Sequence, residues 1–433
     1  MGGAAGPAEA DGALSQGGRR AAAPRGTRDV LPEESRLRQR VIDVARDAFE
    51  RYGYARIVTP TFEETEVFVR GVGTSTDVVR KEMYTFEDQA GRSLSLRPEG
   101  TAPVVRAFVQ HGMHKRPQPV KLWYLAPMFR YEAPQAGRYR EHWQVGAEAI
   151  GSDSPLLDAE VIALLDGIYR TLGVPGVSLR LGSMGDPESR GPYRQLLVEY
   201  LEGHLSALDD DARERMRLNP LRLFDTKDPR VAEVMEGAPR LLDHLSPAAQ
   251  AHRESVLGAL DRLGIAYEED STLVRGFDYY TMTVFEFTSD HLGAQSAVGG
   301  GGRYDGLVEA LGGPPTPGIG FGAGIERIVL AMEGTEEAGA PALDCFVAVL
   351  DDALRVEMMP VVERLRAAGL RCESELRGRS LKAMMRHASS LGARHAVIVG
   401  EREHADGVAT VRDMDSGEQR QVPLGDLVEE LSG

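Results

Sequence analysis

Cysteine is nearly absent: Cys345 and Cys372 are the two in 433 residues. Two thiols exclude a disulfide scaffold and a four-cysteine zinc site, and they point to a reducing compartment. Tryptophan is as rare, with two residues, and all aromatics together make 6% of the chain. No apolar run approaches the roughly 20 residues that a membrane-spanning helix needs. Positive charge is in deficit, with 50 Lys and Arg against 66 Asp and Glu and a formal net charge of −16. Such a balance argues against holding nucleic acid by bulk charge, although local basic patches can still do so. What remains is ordinary globular composition, 42% apolar and 27% charged. At about 150 residues per domain the length gives roughly three folding units.

Residues 1–24 stand apart. Fourteen of them are Gly or Ala, and Leu14 is the only large aliphatic after Met1. Without the continuous apolar core of about 7–15 residues of a secretory signal, they read as a disordered tail or as the product of a mis-assigned start codon. Order is expected from Arg25-Gly-Thr-Arg-Asp-Val-Leu-Pro32 onward. Leu37, Val41, Val44, Ala45, Ala48 and Phe49 recur at helical spacing, which predicts an amphipathic helix over 35–51. Val120–Glu132 and Glu141–Gly151 are aromatic and β-branched around a polar loop, the pattern of a strand hairpin. Residues 155–172 and 190–265 read as largely helical. Within the second stretch Asn219-Pro-Leu-Arg-Leu-Phe-Asp225 breaks the pattern, as an inserted subdomain would. Strand character returns over 273–330 and includes Thr281–Thr288. Residues 334–341 read as a polar linker. Over 342–433, strands near 346–350, 370–375 and 396–399 alternate with helices near 356–368 and 381–391. A hairpin at Asp415-Ser-Gly417 and a short terminal helix follow, which predicts a small α/β domain.

Four clusters could carry chemistry. The glycines of Val298–Asp305 and Gly318–Gly324 are neither a Walker loop nor a dinucleotide fingerprint. Period two on a strand puts Gly318, Gly320, Gly322 and Gly324 on one face, which either packs under a helix or lets something flat approach the backbone. Arg327 follows on the next helix. The hairpin is the second cluster, with Arg130 and Glu132 on its first strand, Gln135, Gly137, Arg138 and Arg140 in the loop, and Gln144 and Glu148 on one face of the second strand. Several guanidinium groups around one loop suit phosphate, which they bind bidentately. A solvated charged hairpin is the plain alternative, but Trp143, Val145, Ala147 and Ile150 around Gln144 and Glu148 favour a pocket. The remaining clusters are Leu273-Val-Arg-Gly-Phe-Asp-Tyr-Tyr280 and Leu96-Arg-Pro-Glu-Gly-Thr101.

Together these segments resemble the histidyl-tRNA synthetases, a family of class II aminoacyl-tRNA synthetases. The resemblance runs from about Arg25 to the C-terminus. It is carried by Arg25-Gly-Thr-Arg-Asp, by Asp77-Val-Val-Arg-Lys-Glu-Met-Tyr-Thr-Phe, by Leu96–Thr101 and by the hairpin Phe129–Gly151. Leu273–Tyr280, Arg303-Tyr-Asp-Gly-Leu, Gly318–Leu330 and the C-terminal Val399-Gly-Glu-Arg-Glu complete it. The implied fold is an α+β catalytic domain on an antiparallel sheet over 25–333, with a helical insertion around 190–265. A C-terminal anticodon-binding domain with a mixed sheet over 342–433 follows.

The resemblance implies an enzyme that condenses L-histidine with ATP to histidyl-adenylate and pyrophosphate, then esterifies the 3′ end of tRNA(His). It implies Arg275 and Arg130 as catalytic residues gripping the α-phosphate. Arg130, Glu132, Arg138, Arg140, Gly322 and Arg327 are implied around ATP, with Mg²⁺ on the phosphates. Glu99, Gly100, Thr101 and Gln144 are implied at the amino-acid end of histidine, Glu148, Tyr279 and Tyr280 around its ring, and Arg130 and Arg275 beside them. A carboxylate facing a ring N–H discriminates strongly, because a substrate without that donor leaves it buried and unpaired. A homodimer in the cytoplasm, with no membrane role, is implied as well.

From Leu376 to Gly400 there are five cations (Arg377, Arg379, Lys382, Arg386 and Arg394) and no Asp or Glu. Such a run can track phosphates, or it can be a solvated helix face. The resemblance favours tRNA contact, with Gln135, Arg140, Arg377, Arg379, Lys382 and Arg386 as the residues implied. Two segments depart from the family pattern and lie by the loop expected to meet the acceptor end: Ala133-Pro-Gln135, where Arg-Pro-Gln is common, and Arg140-Glu-His-Trp-Gln144. The competing function is the non-catalytic, histidine-sensing regulatory subunit of ATP phosphoribosyltransferase, which typically lacks the anticodon domain and several of the ATP-gripping arginines. A dinucleotide-dependent oxidoreductase is disfavoured by the glycine spacing.

Overall fold

The computed structural model describes residues 21–74, 76–133, 137–293, 296–332 and 343–432. Most of the expected tail, all of the expected linker over 334–341, and Gln135 lie outside the described residues. The chain divides into two compact units, Met1–Glu333 and Gly334–Gly433.

In the first unit, helix α1 (Pro32–Arg51) starts earlier than the apolar spacing predicts. Pro32 occupies its first turn, where the missing N–H costs nothing and the fixed φ is already helical. Short elements follow: β1 (Ala55–Arg56), β2 (Phe62–Glu64), α2 (Thr65–Val72), β3 (Thr85–Glu87), β4 (Ser93–Leu96) and α3 (Thr101–Gln110). The hairpin is β5 (Val120–Phe129) and β6 (Glu141–Ile150). The first strand stops short of the expected Glu132 because the backbone turns away, and Tyr131 N–H donates to Glu82 O at 2.7 Å. Helix α4 (Pro155–Leu172) is capped by Ser154, whose side chain accepts from Leu156 N–H. Strand β7 (Val177–Ser183) precedes the helical stretch of α5 (Pro187–Glu202), α6 (Asp210–Leu218), α7 (Pro229–Glu236) and α8 (Pro247–Leu263). Then come β8 (Glu268–Glu269), β9 (Thr281–Ser289), β10 (Ala297–Arg303), the single turn α9 (Leu307–Ala310), β11 (Gly318–Gly324) and, directly after it, helix α10 (Ile325–Met332).

Among the described residues eight strands form one sheet in the order β1-β5-β6-β11-β10-β9-β7-β8. Its neighbours are antiparallel apart from the short edge pairs β1·β5 and β7·β8. Strands β2, β4 and β3 form a separate antiparallel sheet. One face of the large sheet is apolar. Trp123, Ala147, Phe321 and Phe285 pack there against Phe49 of α1, Ile168 of α4 and Ile328 of α10. The apolar stripe of α1 (Val41, Ala45 and Phe49) is therefore consumed inside its own chain. Residues of α5–α7 have a core of their own, including Tyr193, Leu197, Leu201, Met216, Leu223, Val231 and Met235, whereas Val256 and Leu260 of α8 join the main core.

The second unit is a five-stranded mixed sheet, β12 (Leu343–Val349), β13 (Cys372–Ser374), β14 (Ala393–Val399), β15 (Val408–Asp413) and β16 (Gln419–Pro423), ordered β13-β12-β14-β15-β16. The first three strands in that order are parallel and the remaining pairings are antiparallel. Helices α11 (Asp352–Ala367), α12 (Leu381–Ser390), α13 (Glu401–Ala405) and α14 (Leu427–Ser432) accompany it. Cys345 and Cys372 stand in register on β12 and β13 as buried free thiols. The fold class is thus the expected one, an antiparallel-based α+β unit followed by a small α/β unit with a mixed sheet. Among the described residues no helix is long and apolar enough to cross a membrane.

Candidate active site

The polar face of the large sheet is built by register. Directly opposed residues on antiparallel strands share a face. One row across five strands reads Tyr124, Gly146, Gly322, Gly300 and Glu286, and the next reads Leu122, Glu148, Gly320, Gly302 and Val284. Glycines from three neighbouring strands therefore lie abreast; the Tyr124 ring reaches over Gly146, and the bare backbone beyond it makes a floor that ends at Glu286. Both readings of the glycine strand apply, each to half of it. A side chain at Gly318 would overlap the Tyr304 ring, and one at Gly320 the Glu148 carboxylate, so that half is a packing face. At Gly322 the nearest atom to a Cβ would be Gln144 Oε1 at 3.2 Å, and at Gly324 it would be Arg327 Cγ at 3.7 Å. Both glycines are half-buried, and this half is open.

Glu148 is fully buried at the end of that floor. One of its oxygens accepts from Thr101 Oγ1 at 2.8 Å and the other from the Tyr304 hydroxyl at 2.6 Å. Burial pushes its carboxyl up to about 8, with the hydrogen bonds from Tyr304 and Thr101 pulling the other way. Glu99 lies buried at the start of α3, where it accepts from the N–H groups of Thr101 (2.6 Å) and Ala102 (2.7 Å). It thereby satisfies two of the helix's unpaired donors. Burial raises its pKa, and those N–H groups, with Arg130, oppose the rise. Gly100 leaves room for the Tyr124 ring, which a Cβ would overlap. Tyr279 and Tyr280 have ring centroids 4.7 Å apart, and Tyr279 meets Tyr304 edge-on at 5.9 Å. The result is a carboxylate at the bottom of an aromatic slot, suited to a small ring that carries N–H donors.

Cations stand around the open half of the floor. Arg130 Nε donates to Pro98 O at 2.8 Å, and its guanidinium lies over the Phe277 ring, 5.4 Å from the centroid. Arg275 pairs with Glu286 at 2.5 Å, and its Nη1 lies 3.1 Å from where a Cβ of Gly300 would stand. Burial works against its charge, but Tyr280 and Glu286 outweigh it, and its pKa is raised. Arg327 Nε donates to Ala297 O at 2.6 Å. Burial, and then repulsion from Arg138, lower its pKa, while Glu286 opposes the fall. Arg138 pairs with Glu132 at 2.8 Å. Arg140 is turned elsewhere. Its guanidinium stacks 3.8 Å from the Tyr131 centroid and reaches Arg25 O at 3.3 Å, tying the entry segment to the hairpin.

Sequence reasoning missed Tyr124, Tyr304 and Glu286. Tyr124 and Glu286 each carry a weak signal, the even spacing of Tyr124 with Leu122 and Ala126 and a lone carboxylate in Thr-Val-Phe-Glu-Phe. Tyr304 carries no such signal, since its partner lies 156 residues away.

In the second unit, Arg377, Lys382 and Arg386 are exposed. Lys382 and Arg386 share a face of α12, whose Met384 and Ala388 are buried. Arg379 differs, because Glu375, just outside the acid-free run, sits 3.6 Å from its guanidinium. Among the described residues no group of three or more His, Cys, Asp or Glu side chains is placed to hold a metal ion.

The family model described as histidyl-tRNA synthetase matches residues 26–328, and the one described as anticodon binding domain matches 344–433. The histidine–tRNA ligase of Rubrobacter xylanophilus is 51% identical over 411 residues, which cover 93% of this chain and 96% of that protein. That of Nocardia farcinica is 51% identical over 408 residues, covering 94% and 96%. The apo crystal structure of S. aureus histidyl-tRNA synthetase superposes with a TM-score of 0.81 at 37% identity, covering 96% of this chain and all of that one. The chain belongs to the histidyl-tRNA synthetase family.

Proposed function

We propose that this protein is a histidine–tRNA ligase whose first step runs on the glycine floor. The observation that carries this reading is Glu148, fully buried beneath the tyrosines with arginines at the other end of the same floor. Glu148, with Tyr279 and Tyr280, receives the imidazole. Glu99, Thr101 and Gln144 receive the amino group, and Gly100, which admits the Tyr124 ring, stands beside them. The bare backbone at Gly322 takes the adenosine.

The histidine carboxylate attacks the α-phosphorus, an oxygen–phosphorus bond forms, and pyrophosphate leaves with the electron pair. Charge that grows on the phosphoryl oxygens is met by Arg130 and Arg275, already fixed by Pro98 O and Glu286. Arg327 and Arg138 hold the far phosphates, and Glu132 beside ATP fixes the Arg138 guanidinium. Mg²⁺ arrives with ATP as part of the substrate, bound through oxygen ligands. The terminal ribose hydroxyl of tRNA(His) then attacks the histidyl carbonyl and AMP leaves. Arg140, anchored on Tyr131 and residue 25, shapes the loop beside that end. Arg377, Lys382 and Arg386 meet tRNA phosphates, and Arg379, paired with Glu375, contributes less.

We assign the protein to the cytoplasm as a homodimer. The exposed edge strand β1 and the outward Val58, Phe62 and Phe86 support a self-contact, with the last two rings paired at 6.2 Å. The regulatory-subunit reading is disfavoured by the anticodon-binding match over 344–433 and by the retention of Arg130, Arg275 and Arg327. Histidine-dependent exchange of pyrophosphate into ATP tests the proposal. Well-folded protein that shows no such exchange overturns it.

A further inference from the structure

Residues 270–280, which carry Arg275, contribute no strand or helix of their own between β8 and β9. Their conformation is therefore set by what holds them. On the side of the catalytic body, Asp278 N–H donates to Val72 O at 3.1 Å, and the left-handed Gly73 (φ +100°) gives way to the Asp278 side chain. The other anchors come from the helical insertion. Arg222 Nη2 donates to Gly276 O at 3.0 Å and to Asp278 Oδ1 at 3.1 Å. Asn219 Nδ2 donates to the same oxygen at 3.0 Å, and Arg190 Nη2 donates to Tyr280 O at 2.8 Å. Leu221 packs against the apolar cluster of Met184, Leu273, Tyr280 and Val284.

This is what the break in the helical pattern at Asn219–Asp225 does. Asn219 is extended (φ −152°, ψ 92°), which ends α6, and Pro220 opens a 3-10 turn. The reversal sends Asn219, Leu221 and Arg222 to the Arg275 loop, while Leu223 stays in the core of the insertion. The Arg222–Asp278 pair is largely shielded, with 14% and 27% of the side chains exposed. Shielding of this kind makes a charge-assisted hydrogen bond more than a surface tie.

We propose that Arg222 and Asn219 are positioning residues for histidine activation. They hold Gly276 and Asp278 so that Arg275, between β8 and those anchors, faces the glycine floor. The inference rests on the reading of Arg275 as the phosphate-gripping residue. It gives the insertion a part in the first chemical step, before any tRNA is bound.

The test uses the full-length protein and histidine-dependent pyrophosphate exchange. Arg222→Met keeps the stem and removes the donors. Because displacements of about 1 Å in such loops cost up to about a hundredfold in rate, we expect kcat to fall at least about tenfold with KM for ATP within about threefold. Arg222→Lys recovers most of the rate, since a single nitrogen makes both contacts. In the Arg275→Ala background, Arg222→Met produces no further loss, as expected of a residue that acts through Arg275. A kcat equal to wild type in Arg222→Met, or losses that multiply in the double variant, overturns the proposal. Wild-type protein without exchange would instead overturn the functional reading. If Arg222→Met does not fold, Asn219→Ala takes its place in the same cycle. A wild-type rate there, or losses that multiply with Arg275→Ala, is equally decisive.

Discussion

Glu148 shows how burial sets a residue's chemistry. Its carboxyl titrates near 8 in the folded chain, against 4.5 for an ordinary Glu, with burial as the main cause. Between those values the folded protein holds a proton that the unfolded chain has lost, so stability falls as pH rises through the interval. Glu148→Gln cannot ionise. Its melting temperature should therefore gain on wild type steadily from pH 5 to pH 8, and a pH-independent difference would count against the assignment. Tyr304→Phe removes the 2.6 Å donor and leaves that oxygen unpaired. We expect a further rise in the Glu148 pKa and, because the ring N–H is received by the ionised form, histidine binding at neutral pH weakened about tenfold for each pKa unit gained. Titration calorimetry would measure it. Arg275→Ala should slow single-turnover adenylate formation by at least an order of magnitude, as an electrostatic donor worth about 2.7–4 kcal/mol requires. An unchanged rate would remove Arg275 from the chemistry.

At the scale of elements, the two halves of β11 should respond differently to the same small change. Gly320→Ala forces a methyl into the Glu148 carboxylate and the Ala147 carbonyl, and overpacking of this kind costs about 1–3 kcal/mol of stability. Gly322→Ala meets the flexible end of Gln144 and, at ordinary contact distance, the Tyr124 hydroxyl, so it should fold normally and weaken ATP binding. Paired measurements of denaturant midpoint and ATP affinity would separate the two outcomes. The same strand shows what was legible in the sequence. Its period-two glycines could be read because alternation is a local property of the chain. Helix α1 and the β5–β6 hairpin were legible for the same reason, since each has a strong period over ten or more residues. Strand β7 had its alternation in Val177, Leu179 and Leu181 and was overlooked beside helical neighbours. Elements β2–β4 are three or four residues long, too short to show a period. Helix α3 was hidden by Pro103 in its first turn and by Glu99, which caps it from outside. Register was not legible at all, and with it went the row from Tyr124 to Glu286.

At the scale of the whole molecule, the acidic sum of −16 and a tRNA substrate are compatible because the charges are sorted. Exposed Lys382 and Arg386 share one helix face in a stretch without acids, whereas Arg379 is claimed by Glu375. The double variant Lys382→Glu/Arg386→Glu should lower tRNA(His) affinity and flatten its salt dependence by about two phosphate contacts, while leaving pyrophosphate exchange intact. Filter binding across salt concentrations would show it, and an unaltered slope would place the contact elsewhere.

The glycine floor has a consequence for how such a catalyst can change. A surface of bare backbone offers mutation only one direction, the addition of atoms, and every addition there shrinks the cleft. Shifts in amino-acid preference are therefore channelled to side chains that stand outside the sheet, such as Tyr279 and Tyr280 on the loop before β9. A library that holds Gly146, Gly300 and Gly322 constant and varies those two positions would sample substrate range. One that varies the glycines would mostly sample collapse.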